Sequence, residues 1–336
     1  MVRRLALRLA GALATAWLIA STCFLLSRAL GAGAPQLLND EQTGAFDHYT
    51  AAETQFRQRL GLQQPLFYFR LLPWRWHGTP NQYHSWLTEA LHGRLGASFR
   101  DGAAVETSLR TALRVTLPLT GSALLLTAGL ALPLALGMAR RPQWYRRFVP
   151  VAYLLDSLPL FVVGMLLLTL LASPDFWPLF PAYGLGTEGA EGIFWGNWLN
   201  TAYYLALPVA ALVLVSVPAL ALPLTEALRA QQRQAYVATA RAKGASARRV
   251  AWHHLLPNAL PVFITRLSDL VPGVVAGSVV IEVVFALPGM GRLLAEAAAA
   301  RDLPVLIGGV LLIALSRLLA WLVADTINAL IDPRLA

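Results

Sequence analysis

The stretch AYVATARAKGASARRVAWHHLLPNALP, residues 235–261, is polar and basic, yet apolar runs long enough to cross a bilayer flank it on both sides. Residues 226–243 are good helix formers. Gly244 follows Lys243, so a cation in the last turn is succeeded by a residue free to take the left-handed conformation that ends a helix. Ser246 can cap a second short helix, and Pro257 is expected to end it. Tyr236, Ala240 and Gly244 recur at i, i+4 and i+8, which gives one face an aromatic ring followed by two very small surfaces. Small residues let another backbone come close, while Arg241, Lys243, Arg248 and Arg249 keep the surroundings solvated or anionic. A loop that only fixes topology needs the charges but neither the glycine break nor the small-residue stripe. The stretch therefore reads as a helix–glycine–helix handle, standing in water, for something soluble to grip.

Composition agrees that the rest of the chain belongs in lipid. Hydrophobic residues make up 57% of the 336 positions and charged residues 13%, about half the ~25% usual for soluble domains. The net charge of +9 comes from 27 basic and 18 acidic side chains, and the basic ones gather in loops between spans. That is the distribution the positive-inside rule requires, so nucleic acid is not an expected partner. The single cysteine, Cys23, lies in the first apolar run, which excludes an intramolecular disulfide framework and a thiolate cluster. His253 and His254 are adjacent and point to different sides of a helix, so they do not match metal-ligand spacing.

The apolar runs predict an all-α membrane protein with six spans and both ends in the cytoplasm. The spans are residues 9–26, 113–138, 148–171, 202–225, 261–286 and 303–322. Residues 1–30 form an uncleaved anchor; the rival is a cleaved signal peptide, for which Ala32 and Ala34 loosely mimic the site. Residues 31–110, with an amphipathic piece at 51–60 and Trp74, Trp76 and Trp86, form a small external segment lying on the bilayer face. The membrane core is residues 111–336. Arg140, Arg141, Arg146 and Arg147 mark a cytoplasmic turn, whereas residues 173–200 hold Asp175, Glu188 and Glu191 but no Lys or Arg. Asp302 falls at the N-cap of the last span and Pro304 in its first turn.

Pro118, Pro133, Pro159, Pro208, Pro218, Pro223 and Pro272 lie inside the spans, where each frees a carbonyl that protein or a water-lined cavity must satisfy. Kinks of this kind suit a bundle that rearranges around a pathway, although static bundles carry them too. Asp156, Arg266, Asp269, Glu282, Arg317 and Asp325 lie in or near spans, where ionisable groups pair or line water. Arg266 and Asp269 at i, i+3 can neutralise each other. An Asp269–Arg317 contact is also expected, since both fall in the inner half of antiparallel spans. No side chains in the spans form a nucleophile–base or metal constellation, and no stretch resembles a phosphate-binding G-x-x-x-x-G-K-[ST] loop.

The handle resembles the EAA loop of ABC-importer permease subunits, in the branch importing peptides and nickel, whose loop runs approximately Y-V-x-T-A-R-A-K-G, then V, H, and N-A-L. Tyr236, Val237, Thr239, Ala240, Arg241, Ala242, Lys243, Gly244, Val250, His254, Asn258, Ala259 and Leu260 match. Residues 61–69, 91–98, 279–294 with the following RDLPV, and the terminal IDPR at 331–334 resemble further elements of that branch in the same order. GAGAP at 31–35 stands where the family usually carries P-G-D-P, so the aspartate is missing. The long external segment is similar to that of the first of two paired permeases.

The resemblance implies a coupling loop over residues 226–260, seated on a cytoplasmic ATPase subunit. It further implies a second permease, two ATPase subunits, a periplasmic solute-binding protein and a multi-pass place in the bacterial inner membrane. ATP and magnesium would be used by the partners, and the chain itself would bind no cofactor and catalyse nothing. Short peptides are the implied solute, with nickel or another small solute as the alternative. A secondary transporter or channel remains as a separate reading; it would need no ATPase grip and would often show inverted repeats.

Overall fold

The computed structural model describes residues 2–29, 64–70, 75–185 and 198–331. Along the chain come α1 (Val2–Ala29), a two-strand antiparallel pair β1 (Phe69–Arg70) and β2 (Arg75–Trp76), α2 (Gln82–Leu91) and α3 (Val105–Arg140). They are followed by α4 (Pro142–Ser157), α5 (Leu160–Ala172), α6 (Trp198–Gln232), α7 (Ala235–Ala242) and α8 (Ala247–Val250). A π-helical turn, Ala251–Leu255, joins α8 to α9 (Leu256–Val284), and α10 (Met290–Ala299) and α11 (Leu303–Ile331) complete the described chain. The predicted amphipathic piece at 51–60, Trp74, the GAGAP stretch, Glu188 and Glu191 and the tail from Asp332 on lie outside the described residues.

Among the described residues four helices are long and apolar enough to cross a membrane: Val105–Arg140, Leu199–Gln232, the continuous Ala247–Val284, and Leu303–Val323. α1 carries a shorter apolar stretch, Leu9–Thr22. The predicted third span is not one rod but two helices, α4 and α5, meeting at 101°. Pro159 explains the break. Its ring forces the preceding residue out of the helical region, and Leu158 sits at φ −86°, ψ 126°. The prolines at 118 and 133 in α3, and at 208, 218 and 223 in α6, stay inside unbroken helices.

The chain divides into two compact units, each with its own packing. The larger comprises Met1–Ala10, Thr111–Leu293 and Leu315–Ala336. Within it α6 is the central element: 67% of its apolar window is buried, against 29% for Ala247–Val284. Leu205, Leu212, Leu220, Leu224 and Leu228 of α6 are all buried, at spacings that keep them on its inward side. α5 and α9 approach through small residues. A Cβ on Gly277 would lie 2.9 Å from Leu160 Cδ2, and one on Gly164 3.1 Å from Ile281 Cδ1.

The smaller unit comprises Gly11–Arg110 and Leu294–Ala314. An aromatic cluster forms its centre. Tyr83 is buried, shares a 2.6 Å hydrogen bond with Ser21 Oγ, and has Phe67 at 4.9 Å and Phe24 at 5.6 Å between ring centroids. Phe24 stacks on Trp86 at 4.9 Å, while Trp76 stands well exposed. Asp302 occupies the position before α11, and its carbonyl accepts the Leu306 N–H. Its carboxylate, predicted to cap α11, instead accepts from Ser98 Oγ at 2.5 Å and from the Phe99 N–H at 3.1 Å. That buried aspartate ties the turn preceding α3 to the start of α11.

Candidate functional site

The loop joining α6 to α9 begins with a break that helix propensity alone does not foresee. α6 stops at Gln232, and Gln234 is extended at φ −79°, ψ 147° before α7 starts. α7 ends as the Lys-Gly pair predicts. Gly244 has φ +81°, its N–H bonds the Arg241 carbonyl at 2.9 Å, and the Ala245 N–H bonds the Ala240 carbonyl at 3.1 Å. These two bonds are the Schellman pattern, which satisfies carbonyls that a helix end otherwise leaves open. Ser246 then caps α8, its Oγ accepting the Arg249 N–H at 3.3 Å.

Pro257 does not end the second helix. The π-helical turn at Ala251–Leu255 immediately precedes it, and the Leu256 N–H reaches back to the Ala251 carbonyl. A wider turn relieves the clash between a proline ring and the carbonyl four residues back, so the helix passes from Ala247 through to Val284 unbroken. The handle is thus joined rigidly to a membrane-spanning helix.

Burial separates the loop residues into an anchor and a rim. Val237, Ala240, Val250, Ala251, Leu255 and Ala259 are buried together with Ala135, Leu136 and Ala139 of α3 and Leu224 and Leu228 of α6. Ala240 therefore faces the chain's own core, at 9% exposure, and the expected outward stripe of Tyr236, Ala240 and Gly244 is interrupted at its middle. The i, i+3 pair Val237–Ala240 decides which way α7 rolls, a pattern present in the sequence but outweighed there by the i+4 reading. Val250, a matched loop position, also anchors rather than projects. Tyr236, Thr239, Arg241, Lys243, Gly244 and Asn258 form the exposed rim, and His254 is half-buried. Ser246, Arg248, Arg249, Trp252 and His253 line an open groove of about 500 Å³ beside it.

Polar bonds brace the handle. Asn258 Nδ2 donates to the His254 carbonyl at 2.7 Å and to Tyr236 Oη at 3.3 Å, and Tyr236 Oη donates to Gln231 Oε1 at 2.8 Å. α6, α7 and α9 are thereby linked by three side chains. Arg229 Nη2 donates to the Met138 carbonyl at 3.2 Å and its guanidinium lies 3.9 Å from the centre of the Tyr145 ring. Gln232 Nε2 donates to the Ala139 carbonyl at 3.1 Å. The last carbonyls of α3 are capped by side chains of α6, which brings both helix ends to the same place.

The charges predicted within spans take separate roles. Glu282 is fully buried and accepts from Thr116 Oγ1 at 2.7 Å, the Gly291 N–H at 2.6 Å and the Arg292 N–H at 3.2 Å. Thr116 Oγ1 in turn accepts the Met290 N–H at 2.8 Å. The carboxylate caps the N-terminus of α10, where backbone N–H groups and the helix dipole favour an anion. Gly289 and Gly291 make room: a Cβ on the first would overlap the Glu282 carboxylate, and on the second the Val279 backbone.

Arg266 and Asp269 stand 4.0 Å apart with side chains 56% and 49% exposed. The expected Asp269–Arg317 ion pair does not form among the described residues. Arg317 instead extends over the Trp321 ring at 5.6 Å, and both Arg317 and Asp269 are exposed. Asp156, in the last turn of α4, is exposed, and the Asp325 side chain lies outside what is described.

A long-helix bundle of this kind, carrying a braced two-helix loop between membrane-crossing helices, defines a multi-pass membrane component. Residues 108–336 match the family described as binding-protein-dependent transport system inner membrane component, and the chain belongs to that family. It is 30% identical over 261 residues to the inner membrane ABC transporter permease protein YejB of Escherichia coli O157:H7, covering 76% of this chain and 71% of that one. It is 30% identical over 294 residues to the probable D,D-dipeptide transport system permease protein DdpB of Escherichia coli K12, covering 83% of each. With the oligopeptide transport system permease protein AppB of Bacillus subtilis 168 it shares 29% over 293 residues, 85% of each. Among solved structures, a chain of the methionine ABC transporter MetNI, inward-facing, superposes with a TM-score of 0.52 at 17% identity, covering 67% of this chain and 96% of that one. That likeness concerns the fold.

Proposed function

We propose that this inner-membrane permease passes short peptides as one of two permease subunits in an importer driven by two cytoplasmic ATPase subunits and fed by a periplasmic binding protein. α1 and the bent α4–α5 pair complete six spans with both termini in the cytoplasm. Supporting that orientation, the C-terminal ends of α3 and α6 meet through Arg229 and Gln232, next to the basic turn at 140–147 and the basic handle. The peptide reading draws on the names of three relatives: D,D-dipeptide, oligopeptide and dipeptide transport permeases.

The observation that carries the coupling role is the division of the handle into a buried anchor and an exposed basic rim. Tyr236, Thr239, Arg241, Lys243, Gly244, His254 and Asn258 make up the surface an ATPase would hold; Ala240 and Val250 fix it to the bundle. Closure of two ATPase subunits around ATP and magnesium would displace the handle, and the unbroken helix from Ala247 to Val284 would carry that displacement across the membrane. The chain contributes motion rather than chemistry, and needs no cofactor of its own.

The reconstituted complex tests this directly. ATP hydrolysis in proteoliposomes should rise when dipeptide-loaded binding protein is added, and labelled dipeptide should accumulate inside. Hydrolysis that ignores the loaded binding protein would overturn the assignment.

A further inference from the structure

The exposed side of α9 is a continuous stripe at helical spacing: Val262, Arg266, Asp269, Gly273, Ala276 and Val280. A span of about 20 residues counted back from Val284 reaches Thr265, so Asp269 lies about one turn inside the hydrocarbon depth. Gly273 and Ala276 lie deeper still, by about 6 and 11 Å. Two half-exposed opposite charges are not stable against lipid tails, and such groups face a partner or water. Their mutual pairing at 4.0 Å is loose, so an incoming ion can displace either partner. Above them the wall is open: a Cβ on Gly273 would meet no heavy atom within 4 Å, whereas one on Gly277, a turn further and rotated inward, would press on Leu160 at 2.9 Å. By contrast the exposed positions in the middle of α3, Leu117, Leu125, Leu126, Gly129, Leu130 and Pro133, carry no charge, and its exposed Arg110, Arg114 and Arg140 stand nearer the helix ends, as a lipid-covered face requires.

We infer that this α9 stripe lines the solute path at its cytoplasmic mouth, and that Arg266 and Asp269 contact the carboxylate and ammonium ends of a peptide as it leaves. Arg266 offers a planar pair of donors to a carboxylate, and Asp269 offers acceptors to an ammonium group. The inference rests on the peptide-importer reading and assigns residues to it.

The test uses the full importer, with partner permease and ATPase subunits, in proteoliposomes. Cys23→Ala leaves this chain without another cysteine, so labelling is read on this chain after the subunits are separated. Gly273→Cys should react with a membrane-impermeant cationic methanethiosulfonate on the order of tenfold faster than Leu125→Cys, as water-lined and lipid-facing positions differ. Trapping with ATP and vanadate should slow that reaction. Equal slow reaction at both positions in every state overturns the path assignment, and this readout depends on no transported solute. Arg266→Gln and Asp269→Asn should each lower dialanine uptake by on the order of tenfold with ATPase subunits retained, and Arg266→Lys should recover part of it. Wild-type uptake in both neutral variants overturns the charge contact. If either variant fails to accumulate, uptake after modification of Gly273→Cys decides: a blocked path supports the inference, unimpaired uptake overturns it. Failure of the parent complex to take up dialanine counts against the peptide reading and the charge contact with it, while labelling still decides the path.

Discussion

Replacing Glu282 by alanine removes the acceptor for two buried donors, Thr116 Oγ1 and the Gly291 N–H, and for the half-buried Arg292 N–H. Each unsatisfied buried donor costs about 1–3 kcal/mol. Thr116 can rotate to a new partner and water can reach part of the gap, so a total near 3–5 kcal/mol is expected, comparable to breaking other buried charged networks. Against a folding stability of about 5–15 kcal/mol, that is enough to reduce accumulation sharply and to lower the thermal midpoint of the detergent-solubilised complex. Glu282→Gln keeps the shape of the side chain and one acceptor oxygen, which can still take the Gly291 and Arg292 N–H groups because both bond the same carboxylate oxygen, and turns its NH2 group toward Thr116 Oγ1. A cost of about 1–2 kcal/mol follows, with transport retained. The assays are membrane yield, midpoint by loss of the monodisperse peak, and dipeptide uptake. Glu282→Ala with wild-type yield and midpoint would refute the capping role. Glu282→Gln with wild-type yield but no uptake would refute it differently, by showing that the charge serves transport rather than the fold of the 285–292 turn.

Gly244→Val should strain the left-handed position by about 1–2 kcal/mol with no internal clash, since nothing lies within 4 Å of the new Cβ; a small shift of the midpoint checks it. Ala240→Leu inserts bulk into the anchor between α3, α6 and α7 and should cost about 1–3 kcal/mol, seen as a lower midpoint with the rim chemistry untouched. Asp302→Ala should leave Ser98 Oγ and the Phe99 N–H without their acceptor and cost about 2–4 kcal/mol. Hydrogen exchange across residues 96–104 should then quicken, while the handle's exchange stays as in the parent.

What could be read from the sequence was whatever local chemistry decides. The Lys243–Gly244 ending and the Ser246 cap appear as expected because each depends on neighbours within five residues. The long apolar helices followed from hydropathy. Pro159 and Pro257 were harder, because the same ring bends one helix by 101° and is absorbed in another by a π-helical turn. The difference lies in the backbone before each ring: Leu158 is extended ahead of Pro159, whereas Leu256 stays helical behind a widened turn ahead of Pro257. Ala240 reads from the sequence as an outer-face residue because the residues it is buried with, among them Leu136 of α3 and Leu228 of α6, are distant in the chain. Glu282 marked itself as a buried charge, yet its donors include Thr116, separated by 166 residues, and no local pattern names them. Asp302 shows the same limit: its position before a helix suggested capping, and a turn two hundred residues earlier claimed the carboxylate.

On the proposed function, an ATPase subunit holds the exposed rim of the 235–261 loop. Arg241 and Lys243 are on that rim, outside the buried anchor, so Arg241→Glu with Lys243→Glu should alter the surface without disturbing the fold. The direct measurement is recovery of the ATPase subunits with the affinity-tagged permease pair, parent against double variant, at matched membrane yield. Stoichiometric recovery with the parent and loss of most of the ATPase with the double variant is the expected result. Equal recovery, with dipeptide-stimulated hydrolysis intact, would mean that the ATPase does not hold this rim.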